Sequence, residues 1–386
     1  MKKIIFTLAT AIIGIGFVHA QQIEGIAAPT NINPNGYPRI LNGNRIAFNI
    51  KAPQAQKIQV SIGKTYDLTK DENGFWKGTT ESLLAGFHYY SLVVDGLDVS
   101  DPASKTFYGC NRMMSAIDIP EENCDFYTIK DVPHGAIISL NYYSKVMNAW
   151  RPVNVYIPAS YRTMPNKKYP VVYIQHGGGE DETGWAIQGK TNIIMDNLIA
   201  EGKAKEMIVV MSNGNVTMKG YRPSGYNRQS MVPFQKEMLE NIIPFIESHF
   251  RVLKDSSHRA LCGLSMGGGQ SFYVGLQNTK IFGNVGIFSS GIFGGIASPN
   301  GTAFTTHFDA EKEMPGLISK HDEFNKALKV LYISVGTDDP RLSATTEAVN
   351  KMQKDGLKIT FNTFPGNHEW QVWRKSLHAF AQLLFK

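Results

Sequence analysis

Long apolar runs are missing from this 386-residue chain once its first twenty residues are passed, so no later segment has the length and hydropathy of a bilayer-spanning helix. Cysteine is nearly absent: there are three. No Cys-x-x-Cys, no His-Glu-x-x-His and no histidine cluster occurs, which leaves no metal implied. Asp71-Glu72-Asn73-Gly74 lacks the remaining ligand positions of a calcium loop and reads as a hairpin turn. The formal net charge of +6 is small for this length and spread along the chain, which argues against nucleic acid as a partner.

The first twenty residues stand apart. Met1-Lys2-Lys3, the apolar stretch from Ile4 to Val18 and the closing Val18-His19-Ala20 supply the charged start, hydrophobic middle and small residue at the cut of a secretory signal peptide. Cleavage after Ala20 and export, to the periplasm or the medium, are expected. In an oxidising compartment Cys110 and Cys124, close together in an irregular stretch, could close a short loop as a disulfide, while Cys262 reads as a buried apolar residue.

The rest of the chain divides by period. From Arg45 to about Asp101, short alternating strands are separated by turns such as Glu72-Asn73-Gly74 and Asp95-Gly96, with no helical period between them. This predicts a small immunoglobulin-like β-sandwich over residues 21–101. Residues 102–132 read as a linker, and 133–386 alternate strand and helix as an α/β domain does.

The chemistry-bearing residues lie in that second domain. Gly263-Leu264-Ser265-Met266-Gly267 sits between the β-leaning run Arg259 to Cys262 and the helix-like run Gln270 to Gln277. In that context a serine is held exposed on a sharp strand-to-helix turn, with glycines on both sides because a Cβ is not tolerated there. The apolar run Pro170 to Gln175 ends in His176-Gly177-Gly178-Gly179. The loop after such a buried strand offers one backbone N–H to an oxyanion, and the residue after the nucleophile offers the other; here these are Gly178 and Met266. His176 itself reads as structural, a ring holding the glycine loop.

A second predicted buried strand, Val330 to Val335, runs into Gly336-Thr337-Asp338-Asp339, and a further, alternating strand, Leu357 to Phe364, into Pro365-Gly366-Asn367-His368. Taken alone, the aspartates read as a turn before Pro340 and His368 as a surface residue. Taken together, serine, then an acid after a strand, then a histidine after the last strand is the chain order of the α/β-hydrolase fold, with either aspartate placed to orient the imidazole.

On these residues the second domain resembles carbohydrate esterase family 1, the feruloyl and acetyl-xylan esterases. The likeness runs through His176-Gly177-Gly178-Gly179-Glu180 with Trp185, Asp196 to Ala200, Leu264 to Ser271, Gly336-Thr337-Asp338-Asp339, and His368 with Trp373. It implies Ser265 as nucleophile, His368 as general base and Asp339, by its place in the Gly-x-x-Asp turn, as the acid, with Asp338 the alternative. It implies no cofactor. Hydroxycinnamoyl (feruloyl) esters on arabinoxylan are the expected substrates, with acetylated xylan or a siderophore ester of the enterobactin kind as alternatives within the fold. A non-enzymatic binding protein is disfavoured by the intact order of the three residues. For a flat aromatic acyl group, Trp185 near the glycine loop and Trp370 two residues past the histidine are candidate walls of a slot by sequence proximity alone, with core packing the alternative for either.

The first domain resembles the early-set, glycogen-binding-like β modules that precede such esterases, through Phe75-Trp76, Phe87-His88-Tyr89-Tyr90, Val94-Asp95-Gly96 and Asp101-Pro102. No pair of exposed tryptophans can be placed on one of its faces, so a structural or substrate-orienting role is expected ahead of glycan binding.

Overall fold

The computed structural model describes residues 24–386, apart from 224, 295, 298–302 and 305–307. The expected signal peptide, 1–20, lies outside the described residues.

Alternation of apolar and polar side chains builds the N-terminal part. In the strand Ile58–Ile62, Ile-Gln-Val-Ser-Ile, each isoleucine and the valine are buried and the two polar residues are not. Two antiparallel sheets face each other. One runs Ile26–Ala27, Arg39–Ile40, Ile46–Lys51, Phe75–Thr79 and Thr69–Lys70; the other runs Thr106–Gly109, Arg112–Ile119, Gly86–Val94, Ile58–Ile62 and Lys64–Asp67, with Leu97–Val99 beside Gly86–Val94. Ile46, Phe48 and Trp76 from the first meet Val60, Tyr90, Leu92 and Ile117 from the second in one core. Trp76 is a core residue whose Nε1 donates to the Ala52 carbonyl at 2.9 Å.

The expected linker over 102–132 is corrected by two strands within it. Thr106–Gly109 and Arg112–Ile119 form a hairpin through Cys110 and Asn111, both with positive φ, and Arg112–Ile119 pairs with Gly86–Val94. The sequence hid this strand because both its faces are covered. Ile117 and Ile119 enter the sheet-pair core, whereas Ala116, with Phe87 and Phe107, packs into the second domain beside Trp185 and Trp370. A strand buried on both sides shows no period of two. Cys110 and Cys124 are both free, Cys110 exposed in that hairpin turn, so the structure contains no disulfide between them.

The second domain is an eight-stranded sheet in the order Ala136–Ser144, Ala149–Ile157, Ile208–Ser212, Val171–Gln175, Arg259–Leu264, Asn284–Phe288, Val330–Gly336, Thr360–Phe364. The first two strands are an antiparallel hairpin and the remaining six are parallel. The central strands are buried throughout, as parallel strands covered by helices on both faces must be. Helices Thr191–Ala200 and Trp370–Ala381 pack on one face and Leu342–Lys354 on the other. Among the described residues, no helix is long and apolar enough to cross a membrane.

The two parts are locked together by charge as well as by apolar contact. Arg374, fully buried on the last helix, grips Asp118 of the N-terminal sheets with both terminal guanidinium nitrogens, at 3.0 and 3.2 Å, and Lys190 reaches the same carboxylate at 2.7 Å. Burial alone would push the Asp118 carboxyl up, but the two cations outweigh it and hold it below the usual carboxylate range.

Candidate active site

Ser265 leaves the strand Arg259–Leu264 and opens the helix Met266–Gln270 with φ 52° and ψ −112°, a conformation that a non-glycine residue adopts only under constraint. The constraint is packing. A Cβ on Gly267 would lie 2.6 Å from the carbonyl oxygens of both Gln175 and His176, and one on Gly263 would lie 2.7 Å from the Gly267 backbone. The Ser265 N–H donates to Phe288 at 2.8 Å and the Gly267 N–H to His176 at 3.1 Å, which ties the elbow to the strands on either side.

The glycine loop is held from beneath. The buried Nε2 of His176 accepts from the Gly214 N–H at 2.9 Å, so the ring proton must sit on Nδ1, which faces the Gly177 carbonyl at 2.7 Å. Burial holds this imidazole below its usual protonation range. His176 is therefore a neutral strut, as its sequence context implied. A Cβ on Gly178 would meet nothing within 4 Å, so this residue borders open space. Met266 begins the elbow helix, where a first-turn N–H has no intrahelical acceptor. These are the two backbone donors singled out from the sequence.

His368 and Asp339 come together from two strand ends, with Nδ1 and Oδ2 2.8 Å apart. Asp339 is buried and also accepts from the Arg341 N–H and Nη1, each at 3.0 Å, whereas Asp338 is exposed. Burial pushes the Asp339 carboxyl up, but His368 and Arg341 outweigh this and leave it below its usual range. For His368 burial wins, holding the ring below its usual value although Asp339 favours the charged form. The arrangement is a neutral imidazole oriented by an ionised carboxylate. Of the two aspartates, only Asp339 reaches the ring.

Ser265 and His368 border one cavity of about 270 Å³, with Gly177 and Gly178 at its rim. Its apolar walls are Phe87, Leu264, Trp370 and Trp373; Tyr89, Glu180 and Cys110 add polar edges. Trp370 is among the lining residues. Trp185 is not a wall of this cavity. It is 1% exposed, donates from Nε1 to the Gln175 carbonyl at 2.8 Å and packs edge-on against Trp370 at 5.3 Å. Its proximity in sequence to the glycine loop put it behind the cavity because the short helix Gly184–Ile187 turns the ring inward.

Phe87, Tyr89 and Glu180 were not identified as site residues from the sequence. The first two lie in the N-terminal sheets, on the face of Gly86–Val94 opposite Tyr90, which is fully buried in the sheet-pair core. The run Phe87-His88-Tyr89-Tyr90 carries apolar residues for both faces, the available hint that a second surface covers this strand. Glu180 is buried, and its Oε1 accepts from the Tyr89 hydroxyl at 3.2 Å and Trp370 Nε1 at 3.1 Å. Among the described residues no group of three or more His, Cys, Asp or Glu is placed to hold a metal ion.

Comparison with known proteins places the chain among esterases. Residues 144–383 match the model of a family described as putative esterases. Over 368 residues, 93% of this chain, the sequence is 34% identical to an endo-1,4-beta-xylanase/feruloyl esterase of Xylanibacter ruminicola, of which 47% is covered. It is also 34% identical over 142 residues, 33% of this chain, to endo-1,4-beta-xylanase Y of Acetivibrio thermocellus, covering 12% of that protein. The chain thus spans about half the length of the first relative and far less of the second. Among solved structures, a carbohydrate esterase family 1 ferulic acid esterase from Anaeromyces mucronatus, in complex with ferulic acid, is similar at a TM-score of 0.58 and 29% identity, over 68% of this chain and 95% of its own. The enterobactin esterase of Shigella flexneri reaches a TM-score of 0.65 over 88% of this chain and 92% of its own, but at 14% identity, which is a likeness of fold. The matched residues include Ser265, Asp339 and His368, and the chain belongs to that esterase family of carboxylic ester hydrolases.

Proposed function

We propose that this chain hydrolyses hydroxycinnamoyl esters, feruloyl esters above all, on xylan side chains, through Ser265, His368 and Asp339. The observation that carries this reading is the cavity in which the elbow serine, the Asp339-bound imidazole and a mainly aromatic wall converge. Its volume of about 270 Å³ lies near the lower end of small-molecule sites, roughly 300–1,000 Å³, and suits one planar ring on a short chain.

Each step uses groups already named. His368 Nε2 accepts the proton of Ser265 Oγ as that oxygen attacks the ester carbonyl, and the N–H groups of Gly178 and Met266 receive the oxyanion. Collapse of this intermediate breaks the bond to the sugar oxygen, which takes the proton from His368, leaving the acyl group on Ser265. A water then gives its proton to His368 and attacks the acyl carbonyl, and collapse of this second intermediate releases the free acid as His368 returns the proton to Ser265 Oγ. Asp339 stays ionised throughout and stabilises the imidazolium.

Export after cleavage at Ala20 belongs to this proposal, since a polymeric cell-wall substrate does not enter a cell. So does a substrate-orienting role for the N-terminal sheets, supported by the place of Phe87 and Tyr89 at the cavity. The test is a substrate panel of methyl ferulate, p-nitrophenyl acetate, acetylated xylan and a feruloylated arabinoxylan oligosaccharide. Preference for the feruloylated pair is expected. Release of acetate from xylan with little turnover of methyl ferulate would replace the reading with an acetyl-xylan esterase.

A further inference from the structure

Glu180 is a buried carboxyl that the ester chemistry above does not use. It follows the three glycines of the loop, and a single oxygen, Oε1, gathers two donors from different parts of the molecule. Trp370 Nε1 comes from the start of the helix after His368, and the Tyr89 hydroxyl comes from the N-terminal sheets. Tyr89 is itself fixed, its oxygen accepting from Gln188 Nε2 at 2.9 Å. The other oxygen, Oε2, is buried with no hydrogen-bond partner. We propose that Glu180 is a positioning residue whose ionised carboxylate ties the glycine loop to the helix behind His368 and to Tyr89, and so sets where the Gly178 N–H meets the oxyanion. This rests on the reading of Ser265 and His368 as the reacting pair.

The physical argument is one of unequal satisfaction. Hydrogen bonds to an ionised acceptor are roughly twice as strong as those to a neutral one, so the loop is held tightly only when Glu180 has lost its proton. Burial opposes that loss, while Tyr89, the Gly177 N–H and Trp370 favour it; the balance pushes the carboxyl up to about 7. The charged and titratable groups facing it are Tyr89 and Cys110 from the N-terminal sheets, Asp181 on its own loop, and His368 with the His88–Glu369 pair across the cavity. Asp181 pushes the carboxyl further up. Neither state of Glu180 satisfies all its atoms, as expected of a group retained for its effect on a neighbour rather than for stability.

The test is the pH dependence of kcat and KM on methyl ferulate over about pH 5 to 9. In the unaltered protein the acid limb is expected near 7, set by Glu180, with His368 held below its usual range by burial. Glu180→Gln should move the limb down to the His368 ionisation and lower the plateau kcat about tenfold, with KM nearly unchanged, because a displaced oxyanion donor acts on the transition state. Tyr89→Phe, which removes a donor to the carboxylate, should move the limb the opposite way, to higher pH. If Glu180→Gln does not fold, Tyr89→Phe carries the test. A role limited to holding the fold would lower activity by one factor at every pH, and a limb unmoved in the folded variants overturns the proposal. Carboxyl 13C shifts of Glu180 in Ser265→Ala protein give a reading free of turnover: titration near 7 supports the assignment, and a carboxyl still protonated at the pH of full activity overturns it. An unaltered protein inactive on every ester would overturn the esterase reading instead, and that result is distinct from either outcome here.

Discussion

Asn111 donates its backbone N–H to the carbonyl of Gly179 at 2.9 Å, so the hairpin turn between two N-terminal strands is bonded directly to the glycine loop beside the elbow serine. With Tyr89 on Glu180 and Phe87 at the cavity, the N-terminal sheets form part of the site's wall rather than a separate appendage. The edge-on contacts of Phe87 with Tyr89 and Phe107, with ring centroids 5.1 and 5.2 Å apart, stiffen that wall.

Phe87→Ala is expected to raise KM for methyl ferulate roughly tenfold while leaving p-nitrophenyl acetate within about twofold, since one lost aromatic contact is worth on the order of 1–3 kcal/mol in an apolar pocket. Steady-state kinetics on the two substrates checks this. Equal loss on both would mean that Phe87 acts through the fold and not through the acyl group.

Ser265→Ala should reduce kcat on the order of a millionfold, the effect of removing a triad nucleophile, and leave the melting temperature close to that of the unaltered protein. Residual turnover above a hundredth of the original rate would contradict the mechanism.

Asp339→Asn should cost on the order of ten-thousandfold in kcat, because only the carboxylate bonded to His368 Nδ1 fixes the tautomer of the ring. Asp338→Asn, at an exposed position with its N–H bonded to Gly366, should stay within about threefold. The reverse ranking in kcat would move the acid to Asp338.

Stability should depend on pH through Glu180 with a defined sign. Its carboxyl is raised from 4.5 to about 7 on folding, so between those values the folded protein holds a proton that the unfolded chain has released. The associated stability is fully present below about pH 4.5 and is lost as pH rises through 7. Denaturant unfolding should therefore show Glu180→Gln gaining on the unaltered protein by roughly 2–3 kcal/mol between about pH 5 and 8. A difference that stays constant across that range would show that Glu180 does not titrate there.

What the sequence by itself determined is the local and ordered part: the elbow with its flanking glycines, the glycine loop after a buried strand, a turn holding two aspartates, and a histidine after the last strand. These are legible because each depends on backbone geometry a few residues long, where a missing Cβ or a strand end permits few alternatives. Tertiary structure decided which neighbours meet. It separated Asp339 from Asp338 by turning one carboxylate under the imidazole and the other into solvent. Trp370 it set at the cavity, and Trp185 behind it. It joined Arg112–Ile119 to the N-terminal sheets and brought Tyr89 to Glu180, 91 residues away along the chain. The physical reason is the same in each case. Periodicity reports how many faces of an element are covered but not by what, and the second face of Gly86–Val94 and Arg112–Ile119 is covered by a domain whose partner residues lie far along the chain.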